Sequence, residues 1–456
     1  MSHWRERSDS TQMIHLGIGL NFYKEWSSKL IFMYGIRILN LINRILYFYS
    51  LDVRRGKMKN YFYIIWSTYF LTEFGRSMYF VTITWLLYKL TNDPAYTGLL
   101  VGMGFLPGLI LNIFVGVIVD RHNRKYLAIS ANLIATIAII IIFISESLQL
   151  LQPLMIIIVH MLLQITGSLY RPSMQAFTTE MFEEKQLPKV FSQTGAAIEV
   201  GSLLGASIGG IVLASTSTKV TIGMVLICFS LATTALFFLK GKKLSEVRST
   251  NSSIFTDLVD GFKYLRTNQF LWGLFANMFV GQLIFHTSVA FLSVYTKEFL
   301  KQPVSIYGFL DATISIGGIA AGLLGTWWWK VNKNFISVRS LIIISFGLIF
   351  IGIYPLLPLA FLGIFLIGLG TTWIRVLLQS VQQIATEPQY HGRMASYRMI
   401  CNQGSVVISG PILGWIASNY GVNNAYLGLI IPAILCLGFS TLHSKHKKFI
   451  KITHSA

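Results

Sequence analysis

The sequence predicts an all-α membrane protein of twelve transmembrane helices, arranged as two pseudo-symmetric six-helix bundles. Three observations carry that expectation. Of 456 residues, 54% are hydrophobic and only 12% are charged, whereas a soluble chain carries roughly a quarter charged residues. Apolar stretches of about 20 residues, the length that crosses a bilayer, recur along most of the chain. The two halves also match one another at a nearly constant offset.

The elements come in order. Spans are expected near 61–88, 96–119, 126–147, 153–178, 190–214 and 219–240. The polar run KGKKLSEVRSTNSS then interrupts the pattern, and further spans are expected near 269–295, 304–329, 338–357, 359–383, 393–419 and 424–442. This divides the chain into a first bundle (58–240), a central loop (241–268), a second bundle (269–444) and a basic tail (445–456). A shift of 204 positions brings Arg171 onto Arg375, Gln175 onto Gln379, Glu183 onto Glu387 and Lys189 onto Arg393. One residue later in register, Gly205 falls on Gly410, Ala206 on Pro411 and Gly209 on Gly414. Rare residues matching in corresponding helices point to an internal duplication.

Residues 1–57 stand apart from that plan. The stretch LIFMYGIRILNLINRILYFYS is apolar enough to touch a membrane, but Arg37 and Arg44 argue against a full span. An interfacial helix is one reading. A mis-assigned start is the preferred one, because Met58 opens a sequence typical of a transporter's first helix.

The formal net charge is +19, which in a soluble protein would suggest nucleic acid. Here the charges flank the spans on one side: Arg54, Arg55, Lys57 and Lys59, then Arg121, Arg124 and Lys125, the central loop, and the tail from Lys445. The other side offers Lys89, Lys219, Lys297 and Lys301. Positive charge marks the cytosolic side, so both termini and the central loop are expected there, and nucleic-acid binding is excluded as the purpose of the charge. Cys228, Cys401 and Cys436 lie in apolar runs without metal-ligand spacing and read as inert buried thiols. No metal site is expected. No G-x-x-x-x-G-K-[ST] phosphate loop is present, so ATP is not the expected energy source.

The short loop GVIVDRHNRK, Gly116 to Lys125, packs one acid and three basic residues between two spans. Gly116 permits close helix approach, and Asp120 suits the positive end of a neighbouring helix. Arg121, Arg124 and Lys125 serve topology and can pair with Glu180 or Glu183. A second motif lies in the fifth span, G-S-L-L-G-A-S-I-G-G, with Gly201, Gly205, Gly209 and Gly210 giving a thin face for packing against the other half. Pro411 at the matching place of the eleventh span can bend that helix through its missing N–H. The run Trp327, Trp328 and Trp329 before Lys330 reads as an interfacial anchor.

The G-x-x-x-D-R-x-x-R-K arrangement resembles the signature loop of the major facilitator superfamily of secondary transporters. The glycine motif resembles that of its drug:proton antiporter branches, although Ala206 stands where the pattern has proline. The stretch TNDPAYTGLLVGMGFLPGLILNIFVGVIVDRHNRK is similar to the macrolide- and multidrug-efflux-like branch. The resemblance implies the major facilitator fold with a substrate site between the halves, and it implies that Asp120 faces the start of the eleventh helix near Arg393. The second-half loop GTWWWKVNK lacks the aspartate, so such a lock is one-sided.

Ionisable residues inside spans each cost about 2.5–3.5 kcal/mol in lipid at a helix centre and must face one another or water. Glu73 and Arg76 share a face of the first span; Arg171, Glu199, Asp311 and Arg375 lie in the fourth, fifth, eighth and tenth. The resemblance places the first, fourth, seventh and tenth helices, and with them Glu73, Arg76, Arg171 and Arg375, around the cavity. Glu73 is the first candidate for proton coupling, followed by Glu199 and Asp311; the rival role for Glu73 and Arg76 is a structural pair. Arg171 and Arg375 can also act as gates. His160 and His286 are further proton candidates, and Trp272, Asn277 and Gln282 can line the cavity.

In function, the resemblance implies a non-enzymatic secondary transporter without a cofactor, driven by the proton gradient. It would export lipophilic small molecules by alternating access, as a monomer in a bacterial cell membrane. The alternatives on the same fold are a proton symporter or a dedicated metabolite or siderophore exporter. A non-transporting sensor or scaffold is the alternative outside transport.

Overall fold

The computed structural model describes residues 57–239, 254–387 and 390–455; a few side chains within these ranges, among them those of Asp120 and Glu184, lie outside the description. The expectations for residues 1–56 fall outside the described residues. Two compact units separate, Met1–Tyr63 and Ile64–Ala456; of the first, only 57–63 are described, as the beginning of the first helix.

Twelve long helices run in order. They are α1 (Lys57–Thr91), α2 (Pro94–Arg121), α3 (Arg124–Ser147), α4 (Pro153–Met181), α5 (Leu187–Ser215) and α6 (Thr218–Phe237), then α7 (Gln269–Ala290), α8 (Val304–Asn332), α9 (Ile336–Ile353), α10 (Leu357–Ala385), α11 (His391–Tyr420) and α12 (Val422–His443), the last interrupted at Leu429. Ten stretches are long and apolar enough to cross a membrane, and one of them, Val304–Ile353, contains both α8 and α9. α1 completes the set although Glu73 and Arg76 reduce its apolarity. Local signals set the starts. Asp93 caps α2 through Ala95 N at 2.8 Å with Pro94 in the first turn, and Ser217 caps α6 through Val220 N at 3.3 Å.

Burial is organised as a lipid-facing protein requires. In α3 the interior face carries Ala128, Ala131, Ala135 and Ala138, while Leu133, Ile137, Ile141 and Ile144 are exposed. Lipid solvates the large side chains as well as a core would, so small residues that let backbones close up take the interior.

Two segments expected as loop and tail are helical: Ile254–Thr267 in the central loop and Lys447–Ser455 at the C-terminus. Both are strongly amphipathic, and their charged faces hid them from a reading tuned to uninterrupted apolar runs. The terminal helix buries Phe449 against Phe270, ring centroids 5.8 Å apart. The tryptophan run is divided too. Trp327 is exposed as an interfacial anchor would be, but Trp328 stacks on Trp373 of α10 at 3.9 Å and donates from Nε1 to Ser340 Oγ at 3.3 Å.

The glycines of α5 correct the expectation that all four face the other half. Gly201, Gly205 and Gly209, spaced by four, form a stripe against α1 of the same half, meeting Phe70, Phe74 and Met78. Only Gly210, a step of about 100° round the helix, meets the other half, with Gly308 of α8 opposite. A Cβ on Gly205 would stand 2.3 Å from the Phe74 carbonyl oxygen. Gly205→Ala is therefore expected to cost about 1–3 kcal/mol through backbone displacement. Thermal unfolding of the purified protein in detergent checks this, with Gly195→Ala, where nothing lies within 4 Å, as the neutral control.

Candidate functional site: a charged cavity between the halves

The helices alternate in direction, so one end of the molecule carries Arg124, Arg393 and Lys447 (the basic end) and the other carries Asn92 and Lys297 (the far end). At the far end the halves are joined. Thr84 and Tyr307 share a hydrogen bond at 2.7 Å, Trp85 stacks on Tyr307, Tyr88 donates to Glu298, and Lys297 lies 4.5 Å from the Tyr88 ring centroid. α2 and α11 close at Gly98, Gly102, Gly410, Pro411 and Gly414. α11 continues as one helix through Pro411, whose ring lies against Gly102, so a Cβ there would be 2.8 Å from Pro411 Cδ. The polar contacts described at the basic end stay within a half. Arg124 pairs with Glu180 at 2.7 Å, Lys125 donates to the carbonyls of Phe237 and Leu239 at the end of α6, and Arg393 lies 3.9 Å from Asp260. Lys125 thus answers the negative end of α6 rather than a carboxylate. Asn123 caps α3 by accepting from Lys125 N and Tyr126 N, which explains its place in the loop. Arg121 is exposed. The side chain of Asp120 is not among those described, and neither, therefore, is its expected approach to Arg393; the surroundings of Gly116 are likewise undescribed.

Between these ends lies a cavity of about 300 Å³, at the small end of the range for ligand sites. Its walls come from α1 to α6 on one side and from α7 and α8 on the other, and they include Glu73, Arg76, Arg171 and Asp311. Glu73 is the hub. Its Oε1 accepts from Arg171 Nη2 at 2.7 Å and lies 3.7 Å from Arg76 Nη1. Arg76 Nη2 donates to Gln164 Oε1 at 3.0 Å. Glu73 has 11% side-chain exposure, whereas Arg171 keeps 58%, so water in the cavity reaches the arginine from the open side.

Sequence reasoning missed Gln164, yet the signal exists. His160, Gln164, Gly167 and Arg171 recur at helical spacing and share one face of α4. Gly167 makes room for the triad, since a Cβ there would stand 2.4 Å from Arg76 Nη2. His160 is buried and stacks on Tyr79 at 6.0 Å, with neither ring nitrogen hydrogen-bonded. His286 packs between Phe105 and Phe285 at 4.9 and 5.1 Å.

The remaining candidates separate. Asp311 lines the cavity and makes no hydrogen bond or ion pair among the described residues. Arg375 and Glu199 are not among its lining residues; Arg375 sits 5.9 Å from the Phe285 ring centroid, and it and Glu199 are near enough to attract one another. Asn277, expected on the cavity, turns the other way. It is fully buried, donates to Gly273 O at 2.8 Å and accepts from Ser440 Oγ of α12 at 2.5 Å. Gln282 is buried away from the cavity lining, and Trp272 is exposed near the start of α7.

The sequence profile of the Major Facilitator Superfamily matches residues 65–409. The chain belongs to the major facilitator superfamily. It is therefore a multi-pass membrane transporter and not an enzyme. Macrolide efflux protein A of Streptococcus pyogenes is 24% identical over 395 residues, covering 82% of this chain and 94% of that protein. The staphyloferrin A transporter of Staphylococcus aureus is 22% identical over 410 residues, covering 87% and 99%. The solved structure of a single-residue mutant of the nucleoside transporter NupG superposes with a TM-score of 0.74 over 84% of this chain and 99% of that one, at 12% identity. Within that fold, the charge arrangement of this major facilitator chain is uneven. The 204-residue offset carries Arg171 to Arg375 but Glu73 to Asn277. The arginine of α10 has no acid on α7 to bind it, and the carboxylate triad exists in the first half alone.

Proposed function

We propose that this transporter is a proton-driven exporter of small, largely apolar molecules, working by alternating access with its basic end in the cytosol of a bacterial cell. The observation that carries the reading is the charged cavity, closed at the far end by contacts between halves and watered from the basic end. That is the geometry from which a cytosolic compound is loaded. The positive charge at the basic end supports the orientation. The relative named for macrolide efflux supports export, and the aromatic wall of Phe80, Phe105, Phe229 and Phe285 supports an apolar cargo.

We assign the exchangeable proton to Asp311. Glu73 is engaged by two guanidinium groups, and neutralising it would leave Arg76 and Arg171 facing one another without a counter-charge. Asp311 has no such partner, lines the cavity and sits on α8, which packs through Gly308 against Gly210 of the other half. Protonation there changes the charge of a wall that must move.

In everted vesicles or proteoliposomes with an imposed proton gradient, substrate is expected to move against the proton flux. Asp311→Asn is expected to abolish gradient-driven accumulation while exchange of labelled for unlabelled substrate continues. Accumulation at the wild-type rate in that variant would remove the assignment, and movement with the proton flux would turn the reading to symport.

A second reading, export of one dedicated metabolite, draws on the relative named as a staphyloferrin A transporter. A susceptibility and metabolite-release panel with and without the protein separates a broad cargo range from a single compound.

A further inference from the structure

The triad around Glu73 neutralises one carboxylate with two arginines and so leaves the first-half wall of the cavity with a surplus positive charge. The surplus is accessible. Arg171 keeps 58% side-chain exposure while holding Glu73 through one Nη atom. Each guanidinium carries five N–H donors, and the pair offers far more than the single Glu73 oxygen and the Gln164 carbonyl can accept.

A second observation is independent of charge. His160 is only 3% exposed, lines the same cavity, and has no partner for either ring nitrogen. A buried imidazole left without a hydrogen bond costs free energy. Its placement is built in: a Cβ on Gly104 of α2 would come within 2.6 Å of the ring, so only glycine admits it there. His160, Gln164 and Arg171 project from one face of α4, and Arg76 reaches the same spot from α1. Around this pole the wall is aromatic, with Tyr79, Phe80, Phe105 and Phe229.

We infer that the pole formed by Arg76, Arg171 and His160 recognises an organic carboxylate, and that the cargo is an amphipathic anion with an apolar or aromatic body. The carboxylate takes the spare guanidinium N–H groups of Arg171 and the free imidazole N–H, which are charge-assisted or otherwise unpaired donors. The body lies along the aromatic wall. A cationic cargo gains nothing at this pole, because Glu73 is already bound on two sides. The inference rests on the transport reading above.

The test uses the full chain in proteoliposomes and three probes of one shape: 2-naphthoate, 2-naphthamide and 2-naphthylmethylamine. Binding to the purified protein is followed by tryptophan fluorescence, and counterflow of each labelled probe by uptake. The carboxylate is expected to bind at least tenfold more tightly than the amide, and the amine most weakly. Arg171→Gln is expected to erase the difference between carboxylate and amide, with an unchanged gel-filtration profile, and Arg171→Lys to restore part of it. His160→Phe, which keeps the stack on Tyr79, is expected to weaken the carboxylate alone. Equal binding of carboxylate and amide in the wild type, a preference for the amine, or a carboxylate preference that survives Arg171→Gln would each overturn the inference. Uptake of the neutral probe without discrimination overturns the anion pole and leaves transport standing. No uptake of any probe above empty liposomes counts against both.

Discussion

Glu73→Gln is expected to destabilise the folded transporter by about 3 kcal/mol, the lower end of the range for breaking a buried ion pair. The lower end applies because Arg171 has 58% side-chain exposure and is partly solvated by cavity water, while Arg76 at 28% is less so. Removing the charge leaves two guanidinium groups around a neutral amide, close enough that both were within 4 Å of the same oxygen. The Gln164 amide accepts from Arg76 but carries no charge to offset the repulsion. Thermal unfolding in detergent measures the loss. The double variant Glu73→Gln with Arg171→Gln is expected to recover part of it, because the second change removes the charge that the first left unpaired. A Glu73→Gln protein that keeps wild-type stability but loses proton coupling would make Glu73 the proton carrier after all, and Asp311 a bystander.

Gly98→Leu is expected to abolish transport by preventing closure of the far end. A Cβ on Gly98 would stand 2.3 Å from the Gly410 carbonyl oxygen and 2.8 Å from Gly414 Cα. Both are backbone atoms, so no side-chain rotation relieves the clash, and a leucine requires α2 and α11 to separate at the site where the two halves meet. The same helices are held close lower down, at Gly102 against Pro411 and at Gly108 against Gln403, so opening there is a rocking of one half against the other rather than local unfolding. A conformation that excludes leucine loses population in proportion to the clash, and about 3 kcal/mol already shifts the ratio more than a hundredfold. Cysteines placed on the cavity wall are expected to react with impermeant reagents from the far side in Gly98→Leu and from the basic side in the wild type. Unchanged labelling and unchanged flux in the variant would mean that this contact does not belong to the transport cycle.

Much of the architecture was legible because membrane spans announce themselves by length and apolarity. The duplication was legible because Arg171, Gln175, Glu183 and Lys189 recur as rare residues at one offset. The Arg124–Glu180 pair was legible as well, since opposite charges at one end of adjacent helices have few other partners. Directions were not legible. Asn277 and Gln282 look like cavity residues by polarity, yet Asn277 serves α12, because a buried amide bonds whichever neighbour the helix rotation presents. The helices Ile254–Thr267 and Lys447–Ser455 were hidden by charges that lie on one face only. Gln164 and the open nitrogens of His160 were readable as a face of α4, but polarity at helical spacing does not reveal what lies opposite.

The sequence by itself determined the spans, the orientation signal of the basic end, the duplicated build and the inventory of intramembrane charges, since each depends on residue type and spacing along one chain. Only the tertiary structure decided how those charges are shared. It put Arg76 and Arg171 on the one oxygen of Glu73, left Asp311 on the cavity wall without a described partner, set Arg375 beside an aromatic ring, and turned three of the four α5 glycines toward their own half. The physical reason is that an ion pair or a helix contact is a relation between two surfaces. Its geometry is fixed by rotations and crossings that no single segment encodes.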